Sequence, residues 1–166
     1  TPKPSSAASD VYKRQLPDGT LKVLVEGVTR VELKNEVVGT DFIVATVQEL
    51  KHEEDLESEV DAVSRSTIAM FEQYVNLSKK VPAEVISTVN GIEDPHRLAD
   101  TIASHMTLSL EQKQEILEVS GLCGRLEHLM GLMESEIDLF QIEQKIRGRV
   151  KKLSLIHISE PTRRRG

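Results

Sequence analysis

The chain has 166 residues, of which 39% are hydrophobic and 29% charged, with a formal net charge of -6. That length bounds it to one domain or two small ones. The negative balance excludes nucleic-acid binding through a global basic field. Aromatic residues make up 3% and Trp is absent, so any core must be aliphatic. No window approaches the roughly 18 to 20 apolar residues of a membrane span. The single cysteine, Cys123, has no internal disulfide partner and cannot build a cysteine-rich metal site. Such cysteine usage suits a reducing compartment.

Both ends differ from the interior. Residues 1–15 mix Pro, Ser and Ala with scattered basic residues, and no apolar run follows them as a signal peptide would require. Residues 153–166 finish in Arg163, Arg164 and Arg165. The strings DVYKRQ and SLIHISEPTR resemble translated sequencing-adaptor sequence, so both ends are expected to be non-native tails and are set aside. Each tail carries a net +2, which leaves residues 16–152 at -10.

The interior opens on Leu16-Pro17-Asp18-Gly19, a turn signal. Leu21, Val23 and Val25 alternate with Lys22, Leu24 and Glu26, which predicts a strand. Gly27 interrupts it, and Val28, Val31 and Leu33 continue as a second strand or a bent arm. Residues 35–40 read as a loop. Residues 41–50, DFIVATVQEL, form another strand rich in β-branched side chains. Two or three strands do not make a stable sheet alone, and nothing later reads as strand. The missing partners are therefore expected upstream, outside the chain.

From residue 52 the periodicity turns helical. HEEDLESEVD is an acidic linker running into a helix, its charge favoured at the helix N-terminus. Val60, Val63, Thr67, Met70, Phe71, Tyr74 and Val75 fall on one face, and Lys79 to Pro82 end that helix. Val85, Ile86 and Val89 face inward on a short helix closed by Asn90-Gly91. Asp94-Pro95 starts the next, with Leu98, Ile102 and Met106 on one stripe. Ser109 and Gln112 have capping-box spacing, and the following helix is expected to bury Leu110, Ile116 and Leu117. Ser120-Gly121 breaks it. A last helix, residues 122–152, keeps apolar spacing from Leu126 to Val150 over a length on the order of 45 Å, with no stop signal. The expected class is α+β, divided into 16–51 (strands), 52–120 (helical bundle) and 121–152 (long helix).

Chemistry is scarce. There is no GxxxxGK[ST] loop, no GxSxG elbow and no HExxH pair. His52, His96, His105 and His128 are scattered, and Asp94, Asp100 and Glu93 suit capping and surface roles. Cys123 lacks a suitably placed base, since His128 lies five residues on. The acidic stretch departs from the calcium-loop pattern. No catalytic, cofactor-binding or metal residue is therefore assigned. One candidate protein-interaction surface remains: Leu129, Met130, Met133 and Ile137, where methionines would adapt to varied peptides. The competing role for each is filling the core.

The segments LPDGTLKVLVEGVTRVEL, FEQYVNLSKKVPAEVISTVNGIEDPHRLADTIASHM and LEQKQEILEVSGLCGRLEHLMGLMESEIDLFQIEQKIRGRVKK together resemble the amino-terminal domain of bacterial ATP-dependent Lon proteases. The resemblance spans residues 16–152 in order. It implies the end of a PUA-like β subdomain, then a helical bundle and a long helix leading to an ATPase module. It implies a non-catalytic part that helps capture unfolded or damaged proteins for a cytoplasmic homohexameric serine protease. ATP and magnesium would serve that larger protein, and neither nucleic acid nor membrane is implied as a partner. The early β strands, the nucleotide-binding loop and the Ser-Lys dyad have no counterpart here, so no catalytic residue is carried over. Gly121-Leu122-Cys123-Gly124 is also glycine-rich where the family has helix-favouring or capping residues. The alternative is a free-standing β-plus-helix regulatory module that binds proteins.

Overall fold

The computed structural model describes residues 11–39, 41–51 and 54–159. They divide into two compact units, Thr1–Lys51 and His52–Gly166. The α+β order read from the sequence holds: small antiparallel sheets first, then helices ending in a long one.

The first unit holds two separate hairpins. Strands β1 (Val11–Gln15) and β2 (Leu21–Val25) pair antiparallel, with Gln15 opposite Leu21 and Val11 opposite Val25. The Pro17-Asp18-Gly19 tip follows from its residue types. Gly19 N–H donates to the Leu16 carbonyl at 3.0 Å, and Gly19 sits at φ +84°, a left-handed position that a side chain would strain. Asp18 Oδ1 accepts the Thr20 N–H at 3.0 Å. Strands β3 (Val31–Val38) and β4 (Ile43–Glu49) form the second hairpin, with a register break between Leu33 and Asn35.

Two expectations change here. Residues 11–15, set aside as tail, form a strand, because their extended backbone supplies the ladder partner that β2 needs. The loop expected from residue 35 is shorter, because Asn35 to Val38 pair with Ile43 to Thr46 beyond the register break. None of the described side chains of this unit is buried.

The second unit is built from α1 (Glu57–Ser78), α2 (Glu84–Asn90), α3 (Pro95–His105), α4 (Leu110–Glu118) and α5 (Leu122–Ser159). Local signals explain most boundaries. Lys79 ends α1 in the left-handed region at φ 52°. Gly91 closes α2, its N–H shared between the Ser87 and Thr88 carbonyls, but in the right-handed conformation rather than the left-handed one typical of a glycine cap. Asp94 accepts the His96 N–H at 3.0 Å, with Pro95 as the first residue of α3. Ser109 and Gln112 complete a reciprocal capping box on α4.

The core lies between α1 and α5, closed by α2 and α3. Phe71, Tyr74 and Val75 from α1 meet Leu126, Leu129, Met133 and Ile137 from α5, together with Val89, Leu98, Ala99, Ile102, Met106 and Ile116. Tyr74 packs between Phe71 and Phe140, at ring-centroid distances of 6.2 and 6.1 Å. Its hydroxyl accepts the Thr107 N–H at 3.4 Å, which satisfies the buried polar end. Thr67 is wholly buried and returns its hydroxyl to the Val63 carbonyl.

One burial expectation fails. On α4 only Ile116 is buried; Leu110 and Leu117 are 78% and 48% exposed, because this nine-residue helix turns one narrow face to the bundle. On α5 the apolar spacing runs on after the core has ended, so Ile142, Ile146 and Val150 are exposed. The helix continues past residue 152 to Ser159, a length of about 57 Å at 1.5 Å per residue.

Candidate protein-interaction surface

The four residues singled out from the sequence occupy successive inward positions of α5. Leu129 and Met133 are fully buried, Ile137 is nearly so, and Met130 packs half-buried against the same cluster. These residues fill the core rather than present a docking surface. The i, i+4, i+8 spacing of Leu129, Met133 and Ile137 faces α1, and burial of each such side chain stabilises by roughly 1.5–3 kcal/mol.

The exposed apolar side chains lie elsewhere. Leu110 and Leu117 stand two turns apart on the outer side of α4. Leu139, Ile142, Ile146 and Val150 form an exposed stripe along the part of α5 beyond the core. In the first unit Leu21, Leu24, Val25, Phe42 and Ile43 are each more than 60% exposed.

The polar groups do not converge on a reaction centre. No group of three His, Cys, Asp or Glu side chains suited to a metal ion occurs among the described residues. His52 lies outside them. His128 faces Glu115 across the α4–α5 junction at 3.5 Å. His96 and His105 sit at the two ends of α3. Cys123 is buried, and burial, followed by the negative charges of Asp55, Glu59 and Glu127, pushes its thiol above the ordinary value of 9.0. A thiol held protonated is a poor nucleophile.

Two polar features escaped the sequence. Arg125 is almost wholly buried at the α4–α5 junction, where its Nη2 donates to the Val119 carbonyl at 3.0 Å and so caps the C-terminus of α4. Asp55 accepts the Cys123 N–H at 2.9 Å, capping α5 from 68 residues away. Neither contact leaves a local pattern, since each joins a side chain to backbone beyond its own turn.

Residues 10–135 match the family model described as the ATP-dependent protease La (LON) substrate-binding domain. The chain belongs to this Lon substrate-binding family. It is 51% identical over 138 residues to the Lon protease of Vibrio parahaemolyticus, which covers 83% of the chain and 18% of that protein. It is 47% identical over 147 residues to the Lon protease of Escherichia coli K12, covering 89% of the chain and 19% of that protein. The chain thus spans under a fifth of the length of these Lon relatives. Its fold is similar to the solved N-terminal domain of the Mycobacterium avium complex Lon protease, with a TM-score of 0.64 at 22% identity, over 76% of this chain and 67% of that one.

Proposed function

We propose that the chain is the non-catalytic part of a Lon-type, ATP-dependent serine protease that recognises unfolded or damaged proteins and contributes to assembly. The observation that carries this reading is the family match over residues 10–135. In this reading ATP and magnesium act in the larger protein, which is a cytoplasmic homohexamer. The exposed leucines of α4 and the apolar stripe of α5 from Leu139 to Val150 support the binding and self-association parts. The negative charge keeps such a surface soluble.

The test uses the purified chain, free of any intact protease. It is expected to hydrolyse neither ATP nor a peptide substrate. It is also expected to bind fluorescein-labelled, reduced and carboxymethylated α-lactalbumin in preference to the folded form, read by anisotropy. ATP hydrolysis or peptide cleavage by the pure chain would overturn the non-catalytic reading. Equal binding of the two forms, or none, would overturn recognition of unfolded proteins.

A further inference from the structure

The apolar side chains of α5 fall on two different faces. Leu126, Leu129, Met133 and Ile137 face the core, with Phe140 packed against it. At about 100° per residue, the same face beyond Phe140 carries Gln144, Arg147 and Lys151, all polar. The three-and-four spacing continues elsewhere. Leu139, Ile142, Ile146 and Val150 lie roughly 130° away round the helix, and each is more than half exposed. This row is a second face that the bundle does not cover.

α4 is divided in the same way. Ile116 enters the core, while Leu110 and Leu117 stay on the outer side. Leu110 and Leu117 stand about 10.5 Å apart along α4, as do Leu139 and Ile146 along α5. The two rows carry opposite charge. Beside the α5 row, Lys145, Arg147, Arg149, Lys151 and Lys152 outweigh Glu143, a net +4. On α4, Glu111, Glu115 and Glu118 outweigh Lys113, a net -2. Further negative charge gathers at the start of α5, where Asp55, Glu59 and Glu127 act on the Cys123 thiol.

One copy cannot join its own two rows. α4 packs on the first turns of α5, where Glu115 meets His128 at 3.5 Å. Ile142 lies about 21 Å further along the same unbroken helix. Two α5 rows also match poorly, because they set basic side chains against basic ones.

We propose that the chain self-associates head to tail, the Leu139–Val150 row of one copy docking on the Leu110 and Leu117 row of α4 in a second copy. It rests on the assembly part of the proposed function and names its surface. Apolar contact supplies the attraction, and the opposite charges set the register and exclude the α5–α5 pairing. Such a contact is heterologous: each copy keeps one row free, so the series closes into a ring or extends as a filament. A helix of nine residues offers less than the roughly 1,200 Å² of a stable interface, so one contact is weak and a closed set of contacts is stronger.

The test is sedimentation equilibrium of the whole chain up to about 1 mM, a range that reaches weak contacts. The parent is expected to associate, and less so as salt is raised. Lys145→Glu with Arg149→Glu, and separately Glu111→Lys with Glu118→Lys, are each expected to weaken association about ten-fold or more. An equal mixture of the two variants is expected to regain the parent's association, because every row then meets its opposite. If the α4 charge variant loses its helical circular dichroism, Leu110→Ser with Leu117→Ser carries the same decision. Association that survives the α4 changes, through α5 pairs or hairpin edges, would overturn this contact and leave the assembly reading standing. A mixture that stays dissociated would overturn the contact as well. A parent that remains monomeric would overturn both contact and assembly. Recognition of unfolded proteins is decided separately, by α-lactalbumin binding to the parent.

Discussion

Leu24 in β2 and Leu129 in α5 are the same side chain in opposite surroundings, 71% and 0% exposed. The contrast extends to their units. The hairpins form from local signals, alternation in the strands and a Pro-Asp-Gly tip, yet they bury none of their described side chains. The helices take equally local signals and convert them into a shared core, because α1 and α5 each offer an apolar face wide enough to cover the other. Element formation and burial are thus separate achievements. Two-stranded hairpins are marginal by themselves in water, and their exposed apolar rows are hazards for edge pairing. Long amphipathic helices need only one another.

The largest expected effect tests this directly. Leu129→Ala should destabilise cooperative unfolding by about 2–5 kcal/mol, the cost of a deleted core side chain and the cavity it leaves. Leu24→Ala should move it by less than about 0.5 kcal/mol, as for an exposed position. Urea titrations followed by far-ultraviolet circular dichroism give both values. A loss above about 1 kcal/mol for Leu24→Ala would break the comparison, since the β unit would then be part of the cooperative core.

Much of the fold was legible. The α3 and α4 starts follow from Asp94-Pro95 and Ser109…Gln112, because caps act within a single turn and leave their signature in adjacent residues. The strand Val11–Gln15 was not legible, because composition at that end points away from structure while the ladder is supplied by β2. The extent of the core was legible on α1 and overread on α4. Apolar spacing reports a face, not whether another helix covers it, so Leu110 and Leu117 look like core in sequence and are exposed in the fold. The methionine-containing stripe was the hardest to place. Met133 suits both an adaptable surface and a core gap, and only the packing of α1 against α5 decides for the core.

A middle-sized effect sharpens the same contrast at the backbone. Gly19 in the first unit and Lys79 in the second both hold positive φ, at 84° and 52°. Lys79 bears the left-handed conformation with a Cβ, which costs about 1–2 kcal/mol, and it does so at the end of the helix carrying Phe71, Tyr74 and Val75. Lys79→Gly should therefore raise stability by about 0.5–1 kcal/mol, the gain being reduced by the greater freedom of glycine in the unfolded chain. Gly19→Ala should strain its turn yet leave the main thermal transition in place, since the hairpin tip is exposed. An unchanged midpoint for Lys79→Gly would mean that the left-handed cap carries no strain.

The smallest expected effect is a pH dependence, and it again separates the units. Asp18 has a lowered pKa, chiefly from the Thr20 N–H bond, but it is fully exposed at a hairpin tip and should contribute nothing measurable to the acid limb of helical unfolding. Cys123 has a raised pKa, chiefly from burial and then from Asp55, and it sits inside the bundle. A folded value above the unfolded one means that the folded state holds the proton longer. The contribution is complete below the ordinary value of 9.0 and is lost as pH rises through the higher folded value. Stability should therefore decline above pH 9, and Cys123→Ala should flatten the part of that decline owed to the thiol. The two proteins differ only at this side chain, so the difference between the two curves isolates Cys123. Parallel curves from pH 8 to 11 would show that the thiol ionises without cost, contrary to its burial and the neighbouring charge of Asp55.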